Sequence, residues 1–211
     1  YGDPIMNREF LPAGTVGSIE AIPTTAPAGI DAQAIVVFVA EGGIGTGSAA
    51  EVDAATKGVL AKLASSGEIS GRRYECVPLL APPGLQAEQV LVVGLGRRED
   101  IDVGVLYRAA ATAARQLAGR PRSRVAFLAD STWPTPWIEQ AVVGAAVGMV
   151  GQDLYRAEPK RTRFGTTLWV GADPAAVARG ATIAEGVNLT RRLVNSSPDH
   201  MYPESFAEEA A

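Results

Sequence analysis

The stretch AIVVFVA, residues Ala34–Ala40, indicates the fold class of this protein. It is a short, uninterrupted apolar run in which most residues are β-branched. Such a run is typical of a strand that is buried on both faces of its sheet. We therefore expect helices to cover both sides of that sheet.

The segments that flank this strand alternate between strand and helix patterns. After a glycine-rich loop at residues 41–48, Val52, Ala55, Val59, Leu60 and Leu63 recur at helical spacing and predict one amphipathic helix that ends near Gly67. Further strands are predicted at residues 18–23, 74–80, 90–93, 125–128 and 167–170, and further helices at residues 103–117 and 135–150. The alternation predicts an α/β fold with a mixed, mostly parallel sheet and helices on both faces.

A long helix is predicted from Pro174 to about Val194, and Gly180 and Gly186 within it are expected to weaken it. The chain then breaks and starts a new helix at Pro203, a favourable first position. We expect an amino-terminal domain at residues 1–172, followed by a linker helix and the start of another domain at residues 173–211. The chain opens with Tyr1 and ends in the second turn of the new helix, as a fragment would.

Composition limits the class of protein. The 211 residues are 47% hydrophobic and 20% charged, with one cysteine, Cys76, and a net charge of −4. No apolar run approaches the roughly 18 residues of a membrane span, so we expect a protein without membrane contact. A single cysteine cannot form an internal disulfide, which is typical of cytoplasmic proteins, and we therefore expect a cytoplasmic protein. The acidic balance disfavours general binding to nucleic acid.

Two glycine-rich turns follow predicted strands and are candidates for nucleotide binding. In the first, residues 42–48, Ser48 stands where a phosphate-binding loop needs lysine, and only Gly45, Gly47 and Ala50 fit a dinucleotide pattern. In the second, Gly94 and Gly96 lack a third glycine. We interpret the first as a flexible surface turn and the second as a tight turn after a strand.

The chain lacks the residues that a catalytic centre needs. His200 is the single histidine, and it does not share a helical face with Glu204. Cys76 is interpreted as a small packing residue. We therefore predict no catalytic, cofactor-binding or metal-binding residue in this chain.

Two groups of basic residues remain. Solvent-exposed surface is the first interpretation of both, and a subunit contact or nucleic-acid patch is the second. The groups are Arg120, Arg122 and Arg124, and Arg156, Lys160, Arg161 and Arg163.

Four stretches resemble the leucyl (cytosol) aminopeptidase family. They are VDAATKGVLAKLASSGEISGRRYECVPLL at residues 52–80, VLVVGLGRRED at residues 90–100, GMVGQDLYRAEPKR at residues 148–161, and GVNLTRRLVNSSPDHMYPESFAEE at residues 186–209. The last is similar to the connector that leads into the family's catalytic domain, although Tyr202 stands where Thr or Ser usually caps the helix.

This resemblance implies a macro-domain-like, non-catalytic amino-terminal domain. It also implies a catalytic domain beyond the connector that holds two divalent metals, zinc or manganese, and assembly of the complete peptidase as a hexamer. The expected role is assembly and control of access to the active site during removal of amino-terminal residues from peptides. The alternative is a macro-like module that binds a ligand such as ADP-ribose, or DNA.

Overall fold

A computed structural model describes residues 17–151, 160–199 and 201–210. Six strands, six α-helices and two short 3-10 helices occur in these residues. The strands are β1 (Ser18–Ile22), β2 (Ala34–Ala40), β3 (Cys76–Leu80), β4 (Gln89–Gly96), β5 (Arg124–Leu128) and β6 (Thr166–Val170). The helices are α1 (Gly47–Ala55), α2 (Val59–Ser65), α3 (Val103–Leu117), α4 (Thr135–Gly148), α5 (Pro174–Asn195) and α6 (Pro203–Ala210).

The strands form one sheet in the order β1-β6-β5-β2-β4-β3. Every neighbouring pair is parallel except β3 with β4, which is antiparallel. The predicted mixed, mostly parallel sheet is therefore confirmed. All seven residues of β2 are buried, as its apolar run predicts, because β2 lies in the interior of the sheet.

Each face of the sheet has its own apolar layer. On one face α3 and α4 cover alternate residues of the strands, including Phe38, Phe127 and Trp169. The rings of Phe127 and Trp169 stack with their centroids 4.9 Å apart. On the other face Val52 of α1 and Leu60 of α2 pack on the intervening residues. Helices thus cover both faces, as predicted.

The single helix predicted to end near Gly67 is wrong, since the chain forms α1 and α2 instead. Lys57 and Gly58 have φ of 58° and 80°, and this left-handed backbone ends α1. The amide of Gly58 donates to the carbonyl of Asp53 (2.8 Å), and the Asp53 carboxylate accepts from the amide of Ala61 in the first turn of α2 (2.9 Å). Asp53 therefore stabilises both sides of the break.

The predicted tight turn at residues 94–96 is also wrong. Strand β4 continues through Gly96, and all its residues are buried. At Gly94 a Cβ would overlap the carbonyl oxygen of Arg72 and lie 2.7 Å from the carbonyl carbon of Gly71. The glycine is needed because another segment of backbone crosses the strand at this point.

Gly180 has a packing role that the prediction missed. A Cβ there would lie 2.8 Å from the carbonyl oxygen of Glu139 and from Cβ of Val142, both on α4. The glycine thus lets α5 approach α4 closely. Among the described residues, no helix combines the length and the apolar character that crossing a membrane requires.

Candidate functional site on the long helix

The first half of α5 packs against α4. Asp173 caps it by accepting from the amides of Ala175 (3.2 Å) and Ala176 (3.3 Å). The buried residues of α5 follow at helical spacing and face α4: Ala176, Val177, Gly180 and Ala184. Arg179 Nε pairs with Glu139 Oε1 across the two helices at 2.7 Å.

Polar contacts hold the second half of α5 against the end of α4. Arg191 Nη1 donates to the carbonyl oxygen of Val147 (3.1 Å) and to Asn188 Oδ1 (3.2 Å), and Asn188 Nδ2 donates to the carbonyl oxygen of Ala146 (3.4 Å). Carbonyl groups in the last turn of a helix lack intrahelical partners and favour cations. The two side chains therefore fix α5 beyond its last buried residue.

Exposed apolar side chains concentrate from Ile183 of α5 onward. Among the described residues, six large hydrophobic side chains are exposed, and four of them lie between residues 183 and 206. These four are Ile183 (44% exposed), Val194 (78%), Tyr202 (52%) and Phe206 (49%). A contiguous apolar surface is typical of sites that contact another protein or domain.

Helix α6 begins with half of a capping box. The amide of Tyr202 donates to Ser205 Oγ at 2.9 Å, which is the contact that an N3 side chain makes back to the cap residue. Tyr202 has no short side-chain acceptor for the reciprocal bond. The helix predicted from Pro203 is confirmed, and Ser205 is the capping contact that sequence reasoning missed.

A second candidate site lies at the carboxyl ends of β2 and β5, a position where α/β sheets often bind ligands. The two strands are neighbours, and the helices that follow them lie on opposite faces of the sheet. The glycine-rich loop ends here at Gly47, whose φ is 60° and whose α-carbon faces the Asp130 carboxylate. A carboxylate at the start of α1 occupies the position that favours a phosphate and would repel one.

Backbone from the chain itself covers the carboxyl ends of β2 and β4. The amide of Gly96 donates to the carbonyl of Gly71 at 2.8 Å, and a Cβ on Gly71 would lie 2.6 Å from the carbonyl oxygen of Ala40. Glu75 holds this segment by accepting from the amides of Ser70 (2.9 Å) and Gly71 (2.8 Å). Burial alone would raise the pKa of Glu75, but the hydrogen bond from the Ser70 hydroxyl, the two amide hydrogen bonds and the Arg72 charge together outweigh it and lower the pKa below its usual value.

Neither metal ligands nor an activated nucleophile come together in the described part of the chain. No group of three or more His, Cys, Asp and Glu side chains there could hold a metal ion. His200 lies outside the described residues. The Cys76 thiol is partly buried, and burial together with the nearby Glu75 charge raises its pKa to about 11, away from the range of a reactive thiolate.

The members of the two basic groups differ in their burial and in their hydrogen-bond partners. The interpretation as solvent-exposed surface is wrong for Arg122, which is partly buried: its Nε is buried and its Nη2 donates to Gln89 Oε1 at 2.8 Å. Burial lowers the pKa of Arg122. Arg124 pairs with Asp31. In the second group Arg161 donates to the carbonyl oxygen of Val150 (3.4 Å), whereas Arg156 lies outside the described residues.

Sequence comparison decides the family. Residues 36–159, more than half of the chain, match the model of the cytosol aminopeptidase family, N-terminal domain. The chain belongs to the cytosol aminopeptidase family. The resemblance seen in the sequence is therefore confirmed, and the matched residues end before α5 begins.

Curated relatives of the family are longer than this chain. A probable cytosol aminopeptidase of Streptomyces coelicolor is 33% identical over 90% of the chain and 42% of its own length. One from Thermosynechococcus vestitus is 30% identical over 91% of the chain and 41% of its own length. One from Rhodopirellula baltica is 33% identical over 69% of the chain and 29% of its own length. The chain thus spans less than half of each relative.

Solved structures share the fold. A mutant of tomato leucine aminopeptidase superposes with a TM-score of 0.74 at 20% identity, over 92% of this chain and 41% of that one. The bottromycin maturation enzyme BotP in complex with Mn superposes with a TM-score of 0.62 at 21% identity, over 83% of this chain and 34% of that one. The α/β architecture is therefore that of the family.

Proposed function

We propose that this chain is the non-catalytic amino-terminal domain of a dinuclear-metal leucyl aminopeptidase, a peptidase that removes amino-terminal residues from peptides. The family match to the N-terminal domain supports this role, and it covers residues 36–159. The domain ends at residue 172 in this proposal. Residues 173–211 then form the linker helix and the start of the catalytic domain.

The partner in this proposal is the catalytic domain, which occupies the part of the relatives that this chain does not match. Two divalent metals, zinc or manganese, belong to that domain, and the names of the relatives support a cytosolic enzyme. The domain contributes to assembly, as a hexamer in the complete peptidase, and shapes access to the active site. The exposed apolar side chains that follow it, from Ile183 to Phe206 in the linker segment, support a role of that segment in domain contact.

Activity measurements test the proposal. The purified 211-residue chain, incubated with excess Zn²⁺ or Mn²⁺, should not hydrolyse leucine p-nitroanilide above the rate with metal alone. The complete polypeptide that carries this chain should hydrolyse it in a metal-dependent way. Metal-dependent turnover by the pure chain, removed by a chelator, would contradict the proposal.

The ligand-binding alternative has a separate test. Because the Asp130 carboxylate faces Gly47 at the start of α1, a pyrophosphate at this loop would meet a negative charge. Calorimetry with ADP-ribose and a gel shift with duplex DNA at moderate salt should show no binding by the pure chain. Saturable binding in either assay would favour the alternative.

A further inference from the structure

Strand β6 places two polar side-chain groups in the apolar interior. Thr167 is 1% exposed and Trp169 is fully buried. Within the described part of the chain, neither the Thr167 hydroxyl nor the Trp169 indole N–H has a hydrogen-bond partner. Buried polar groups in folded proteins nearly always bond to another protein group or to an internal water molecule. These two groups therefore indicate a site for a small polar molecule.

Both side chains point to the same face of the sheet, because they are two residues apart on one strand and side chains alternate along it. Their α-carbons are about 6.6 Å apart at the rise of a strand. Trp169 stacks on Phe127 in the layer that α3 and α4 cover. Thr167 lies between Ile19 of β1 and Val125 of β5 in the strand register, and neither of these side chains can form a hydrogen bond. The adjacent strands therefore do not supply a side-chain partner for the Thr167 hydroxyl.

We propose that one internal water molecule bridges the Thr167 hydroxyl and the Trp169 indole N–H. The indole group can only donate, whereas a hydroxyl both donates and accepts. The water oxygen accepts the indole proton, and the water donates one of its hydrogens to Thr167 Oγ1. Because each hydrogen bond is about 2.8 Å long, one water molecule spans groups up to about 5.5 Å apart. This span fits two side chains that leave the strand two residues apart.

Water fits this site better than a larger ligand does, because neither side chain can be reached from solvent. The remaining alternative is that both groups are buried without any partner. In that case the Thr167 hydroxyl only destabilises the fold, and valine, which has the same shape without the hydroxyl, stabilises it. If water bridges the two groups, the same substitution leaves the Trp169 N–H unsatisfied and destabilises the fold. The two cases predict opposite signs for Thr167→Val.

The first experiment observes the water directly by nuclear magnetic resonance of the isotope-labelled 211-residue chain. We expect a rotating-frame Overhauser cross-peak between the Trp169 indole proton and water, with the sign of dipolar transfer rather than that of proton exchange. The cross-peak should vanish in Thr167→Val. A visible indole proton without this cross-peak in the wild-type chain would overturn the proposal.

The second experiment measures urea unfolding midpoints by circular dichroism for Thr167→Val, Trp169→Phe and the double variant. We expect Thr167→Val to lower the midpoint by about 0.5 M. The double variant should lower it by less than the sum of the two single shifts, since either substitution breaks the same bridge. The cost of the smaller Phe ring is present in both backgrounds and cancels in this comparison.

Thr166→Val is the matched control. Thr166 precedes Thr167 on β6, but its hydroxyl accepts from the exposed Ser18 hydroxyl at 2.9 Å, so its midpoint should fall by less than half as much. A midpoint of Thr167→Val equal to or higher than that of the wild-type chain would overturn the proposal. Additive shifts in the double variant would do the same, because they would show that the two groups share no bridge.

Discussion

Two glycines in this chain are required because other parts of the chain approach their α-carbons closely. Gly94 lies inside a buried strand and has no unusual φ, so its role is to leave space for the carbonyl of Arg72. Gly47 combines a positive φ with the approach of the Asp130 carboxylate. Both contacts join segments that are far apart in sequence.

Replacing Gly94 with alanine should destabilise the domain by about 1–3 kcal/mol, since the added methyl group forces the crossing segment to shift. Urea unfolding followed by circular dichroism measures this change. Gly45→Ala is the matched control, because a Cβ at Gly45 meets no heavy atom within 4 Å. Equal unfolding midpoints for the two variants would contradict the steric role of Gly94.

The Cys76 thiol should react slowly in the folded protein. Its pKa is raised to about 11, so roughly 0.1% is thiolate at pH 8, against about a quarter for a free thiol with a pKa near 8.5. Alkylation by iodoacetamide at pH 8 should be about a hundredfold or more slower than in urea. Equal rates in the two conditions would show that burial does not suppress the thiolate.

The same shift predicts the sign of a pH dependence. Because the folded state holds the proton more tightly, the contribution of Cys76 to stability is complete below the unfolded pKa. It is lost as the pH rises through about 11.

At the scale of elements, the local backbone conformation at Lys57 and Gly58 divides one predicted helix into α1 and α2. The sequence predicted a single helix here because the apolar positions keep helical spacing across the break between α1 and α2. Gly58 was visible in the sequence as a signal for a helix end, but the positive φ of Lys57 was not.

Strand β3 has one free edge, and Pro78 lies at its centre. On the paired edge, the amide of Gly94 in β4 donates to the carbonyl of Glu75, and the amide of Ala81 donates to the carbonyl of Glu88 just before β4, both at 2.8 Å. By alternation, Cys76, Pro78 and Leu80 direct their backbone groups outward. Pro78 has no N–H to offer and so protects the edge from pairing with another strand.

Replacing Pro78 with threonine should increase self-association, because threonine adds an outward N–H and favours strand conformation. Sedimentation velocity over a range of concentrations measures the mass. Pro83→Thr, in the exposed turn that follows β3, is the control and should not change the mass. An unchanged mass for Pro78→Thr at all concentrations would show that the proline is not needed for edge protection.

For the whole molecule, one sheet joins two apolar layers, so we expect both faces to unfold together. Trp133, Trp137 and Trp169 all lie on the face covered by α3 and α4, whereas Leu60 is fully buried on the opposite face. Tryptophan fluorescence therefore reports on the face that Leu60 does not touch.

The Leu60→Ala change should cost about 2–5 kcal/mol and shift fluorescence and circular dichroism transitions equally. Leu80→Ala removes the same atoms from an exposed side chain and should stay within about 0.5 kcal/mol of wild type. Urea titrations with both probes make the comparison. Separate transitions for the two probes would show that the layers are independent.

The sequence by itself was sufficient for the fold class, most element positions and the family. Their signals are local patterns of sequence, which do not depend on the segments that pack nearby in the fold. Examples are the apolar run of β2, the alanine-rich α3 and the connector motif. Residue burial on strands and helices follows from these periods.

Tertiary structure alone decided which residues meet. The burial of Arg122 beside Gln89, the Asp130 carboxylate at Gly47, and the anchoring of α5 by Asn188 and Arg191 all depend on the order of strands and the packing of α5 on α4. Periodicity describes which side of an element is apolar, but it does not specify which distant segment lies against that side. That partner depends on the path of the whole chain.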